Sequence, residues 1–68
     1  MENWIKVFED SMQIRAEIVK GVLVENEIQA VVLNKKDTAY QMFGNYQVLV
    51  KRDDAIQATK IIQNAITF

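Results

Sequence analysis

Between Asn3 and Asn34 the hydrophobic period changes twice, from two residues to about 3.6 and back to two. "NWIKVFE" (Asn3–Glu9) is rich in β-branched and aromatic residues and predicts a first strand. Strict alternation puts Ile5 and Val7 on one face and Trp4, Lys6 and Phe8 on the other. From Met12 to about Glu27 the pattern is helical. Ile14, Ile18 and Val22 form one row, Ala16, Val19 and Leu23 the next, and together they make one apolar stripe. "QAVVLN" (Gln29–Asn34) returns to strand. A strand, a helix and a second strand in this order form a crossover, which brings both strands into one sheet.

The remaining chain fills that frame. "YQVLVK" (Tyr46–Lys51) alternates Tyr46, Val48 and Val50 against Gln47, Leu49 and Lys51. "RDDAIQATKIIQNAI" predicts a closing helix, with Asp53 as its cap and Ala55, Ala58 or Thr59, Ile62, Ala65 and Ile66 on its inner face. Asp10 or Ser11 is placed to cap the first helix, with Gln13 at capping-box spacing from Asp10. Gly21, costly in a helix interior, is expected where the helix packs closely on the sheet. The fold class that results is α+β. It is a βαββα ferredoxin-like half-sandwich with a three-stranded antiparallel sheet in the order 1-3-2 and two helices on one face. At 68 residues, with no proline and no linker, the chain reads as a single βαββα domain, 1–68.

One sheet face is then left uncovered. It is expected to carry Trp4, Phe8 and Leu49, with Ala30 and Val32 or else Val31 and Leu33 beside them. An exposed apolar patch marks an interface, and the first strand is an open edge. Trp4, Phe8 and Leu49 therefore predict a homodimer, through the open face or by edge pairing. The alternative is that the long loop or the C-terminal "ITF" covers Trp4 and Phe8.

The inventory of reactive groups is thin. With no histidine and no cysteine, the commonest general base and ordinary zinc ligands are missing. Glu17 and Glu25 form no carboxylate pair, and capping accounts for Asp53 and Asp54 better than a metal does. Gly21 and Gly44 stand too far apart for a phosphate-cradling loop. The expectation is a protein that is not an enzyme and uses no cofactor or metal. Eight basic residues against nine acidic ones provide no general nucleic-acid-binding face. No apolar run is long enough to span a membrane, and "MENWIKVFED" lacks the features of a signal peptide, so a cytoplasmic location is expected.

The connection "NKKDTAYQMFG" (34–44) is longer than a hairpin needs. Lys35 and Lys36 can meet an anion, Asn34 and Asp37 can hydrogen-bond a ligand or their own backbone, and Tyr40 and Phe43 are contact residues of the kind found at recognition surfaces. Two functions stay open on these residues. One is an interaction module docking a protein partner through the loop and the open face; the other is a sensor of an anionic metabolite near Lys35 and Lys36.

"KVFEDSMQIRAEIVKGVLVENEIQAVVLNKKD", a Gly-containing turn, and "YQVLVKRDDAIQATKII" resemble a small bacterial family of unknown function, catalogued as "putative prokaryotic signal-transducing protein". Glu17, Lys20, Gly21 and Leu23 fit its first helix. Ile28, Ala30, Val48, Val50, Asp54 and Ala55 fit the rest, over about Ile5 to Ile62. Many relatives have Gly where this chain has Glu27. The resemblance implies an architecture similar to that of PII-like regulatory proteins, although this chain is shorter and has no long nucleotide-binding loop.

Overall fold

The computed structural model describes residues 3–34 and 45–68. The chain runs β1 (Trp4–Asp10), α1 (Gln13–Glu25), β2 (Ala30–Asn34), β3 (Tyr46–Lys51), a single 3-10 turn (Arg52–Asp54) and α2 (Ala55–Ala65). The sheet order is β1-β3-β2, and β3 is antiparallel to both neighbours. This is the expected α+β topology.

Cross-strand register decides which side chains share a face. Ile5, Val50 and Ala30 form one row and Phe8, Val48 and Val32 another. Val48, Val50 and Ala30 join Ala16, Val19 and Leu23 of α1 and Ala58 of α2 in one buried cluster. Both helices therefore cover the same sheet face. Ala16 and Ala58 have no exposed surface, and their small side chains allow the close approach of helix to sheet.

That role was expected of Gly21, and the structure corrects it. Gly21 is exposed, and a Cβ added there would meet nothing within 4 Å. The α1 stripe is narrower than periodicity implied, for the same reason. Ala16, Val19 and Leu23 point to the sheet, while Ile14 is 63% and Ile18 44% exposed. A helix on a three-stranded sheet buries only one side, so the second apolar row faces outward.

Both helix starts differ in detail from expectation. The Oδ1 of Asp10 accepts the Met12 N–H at 2.8 Å, bridging the strand end to the helix, but Met12 itself occupies the cap position and no capping box forms. Asp54, not Asp53, is the residue before α2, and its side chain makes no capping bond because the 3-10 turn leads into the helix. Within α2, Ala58 is buried, Thr59 and Ala65 are exposed, and Ile61 completes the inner face.

The end of α1 is sharper than its residue types imply. The Ile28 N–H donates to the Leu23 carbonyl at 2.9 Å and the Glu27 N–H to the Val24 carbonyl at 2.9 Å. Leu23 and Ile28 meet in the core beneath. This is a Schellman motif, with Glu27 in its left-handed position at φ 65°.

Candidate interaction surface

β1 is not a regular strand. Its pairing with β3 shifts between Lys6 and Phe8, so Val7 is an extra residue. At such a bulge two neighbours turn to one side. Val7 and Phe8 both pack on the helix-side cluster. Lys6 and Glu9, which strict alternation would separate, fall on the opposite face. There the Nζ of Lys6 reaches Oε1 of Glu9 at 2.9 Å. Phe8 is thus corrected: it lies under the helices, not on the uncovered face. Its ring is 6.1 Å from that of Phe68, with the Arg15 guanidinium 5.0 Å over Phe68 and 3.4 Å from Asp10. The C-terminal "ITF" therefore covers Phe8, as the alternative reading allowed.

The face without helices is built from three rows. Trp4 pairs with Lys51, Lys6 and Val31 flank Leu49, and Glu9 and Leu33 flank Gln47. The face divides into two halves. Toward β2, Val31, Leu33 and Leu49 make an apolar strip. Toward β1, Lys6 and Glu9 pair, and Nε2 of Gln47 donates to Oε2 of Glu9 at 3.4 Å. The bond from Lys6, reinforced by Gln47, holds the exposed Glu9 carboxyl below the ordinary glutamate range. Leu49, flanked mid-sheet by Lys6 and Val31, is only 7% exposed although it stands outside the core cluster.

Of the expected interface residues, Trp4 and Leu49 lie on this face. Asn34 ends β2, exposed, in the Tyr46 row. Lys35, Lys36, Asp37, Tyr40 and Phe43 fall outside the described residues.

A family model described as "Putative prokaryotic signal transducing protein" matches residues 4–66. The chain belongs to that family. No curated protein and no solved structure matches it. For this member of the family, the match runs from the first residue of β1 to the residue after α2, so it covers every element of the fold.

Sequence reasoning missed a groove in this family member, of about 410 Å³, lined by Asn3, Trp4, Lys51, Arg52 and Asp53. The signal was in the strand pattern: antiparallel pairing of the start of β1 with the end of β3 brings "NW" beside "KRD". Among the described residues no helix is long and apolar enough to cross a membrane.

Proposed function

We propose that the protein is a small, non-catalytic regulatory module that acts in the cytoplasm as a homodimer and docks a protein partner through its uncovered sheet face and residues 34–44. One observation carries this: both helices lie on one side, leaving the half-buried Val31 and Leu33 on a face that no described element covers. The signalling label of the family agrees with a role exercised by binding.

Size explains why both surfaces are needed. Three strands about 4.8 Å apart, with roughly 18 Å of paired length, give a footprint of about 250 Å². A stable interface takes about 800 Å² from each partner. The sheet alone falls short, so Tyr40 and Phe43 are assigned to the same surface.

The test is a pair of variants. Val31→Lys with Leu33→Lys places charge on the open face, and Tyr40→Ala with Phe43→Ala truncates the contact residues. Each pair is expected to abolish capture of the cognate partner while leaving the melting temperature within a few degrees. If the Tyr40/Phe43 variant unfolds, those rings belong to the core and the docking role fails.

A further inference from the structure

We propose that the groove at the Trp4 end of the sheet binds a small anion that carries a flat ring, of the class of a nucleoside monophosphate. This goes beyond the docking reading and is tested separately from it, by ligand titration and not by partner capture. The groove is built by strand register. Trp4 stands opposite Lys51 on the face away from the helices. The Arg52 N–H donates to the Asn3 carbonyl at 2.9 Å, which carries the β1–β3 pairing one step further and fixes the groove's walls. Its volume, about 410 Å³, lies within the roughly 300–1,000 Å³ of small-molecule sites.

The lining chemistry selects the ligand. Among the described residues the ion pairs are Lys6–Glu9 and Arg15–Asp10, so neither Lys51 nor Arg52 is neutralised by a carboxylate. Two cations in no ion pair among the described residues, beside an indole, form a local positive site on a chain whose net charge is −1. A guanidinium grips phosphate with two parallel hydrogen bonds, and the ammonium adds a point charge. The Trp4 indole offers a face for a ring to stack on. Asp53, the one acid among the described lining residues, brings their balance to +1 (Lys51 and Arg52 against Asp53). That balance suits a ligand of low charge better than a polyphosphate. The Asp53 carboxylate also accepts a hydrogen bond from a hydroxyl or amino group on the ligand.

Trp4 is the only tryptophan in the chain, so its fluorescence reports on the groove directly. The full chain is titrated with adenosine monophosphate, uridine monophosphate, adenosine and inorganic phosphate. The expected result is a saturable, salt-sensitive change with one or both nucleotides, and binding at least about tenfold weaker for adenosine and for phosphate. Lys51→Ala and Arg52→Ala are each expected to weaken nucleotide binding about tenfold. Both side chains are exposed and the Arg52 backbone bond is retained, so their melting temperatures should match the parent. No saturable change with either nucleotide overturns the proposal. So does a response that survives the double Lys51/Arg52 variant, or one that phosphate alone or adenosine alone reproduces in full.

Discussion

Glu27 occupies a left-handed conformation, φ 65°, that an L side chain adopts at a cost of about 1 kcal/mol or more. The Schellman bonds and the burial of Ile28 hold it there. Glu27→Gly is expected to raise stability by about 0.5–1 kcal/mol, read as a melting temperature a few degrees higher. Gly21 is the opposite case. It sits at ordinary helical dihedrals with open space where a Cβ would go, so Gly21→Ala should also stabilise, by roughly 0.5–1 kcal/mol in denaturant titration. A loss of stability would mean that the outer face of α1 is covered in solution. Glu9 adds a pH effect whose sign is determined. Its folded pKa is lowered by the bond from Lys6, so its contribution is present above the unfolded glutamate pKa and lost as pH falls through the folded one. Glu9→Gln should therefore flatten part of the acid limb of the stability–pH profile and leave the alkaline limb unchanged.

The bulge in β1 is where strand and sequence pattern part. Element order, sheet order and the helix-facing set on β3 are legible because each rests on a period that packing enforces. "WIKVFED" also alternates convincingly, but it contains no glycine or proline to announce an extra residue. Nothing local distinguishes Val7 from a regular strand residue; only pairing with β3 does. One inserted residue exchanges faces for everything beyond it, which is why Phe8 was expected on the wrong side while Trp4, ahead of the bulge, was not. On α1, periodicity identified two apolar rows correctly but could not tell which one a single sheet would bury. The groove lining was hidden because Trp4 and Lys51 are 47 positions apart (51 − 4) and meet only through register. Deleting Val7 should restore regular alternation with Lys6–Leu49 and Phe8–Val48 still in register. A straighter edge strand invites pairing with another chain, so the deletion is expected to increase self-association in light scattering.

For the whole molecule, the one-sided core governs stability and leaves the other sheet face to the proposed docking role. A chain of 68 residues holds a stability of roughly 3–10 kcal/mol, at 0.05–0.15 kcal/mol per residue. Leu23 is fully buried between α1 and the sheet, and Leu23→Ala should cost about 2–5 kcal/mol, a large share of that total, seen as a lower denaturation midpoint. Val31 and Leu33 lie on the other face, so charging them should barely affect the core. This separation makes the account testable by mass. Light scattering at micromolar concentration should give about twice the 7.9 kDa chain mass for the parent protein and 7.9 kDa for Leu33→Lys. A mass of 7.9 kDa for both would show that the uncovered face does not pair two copies of the chain.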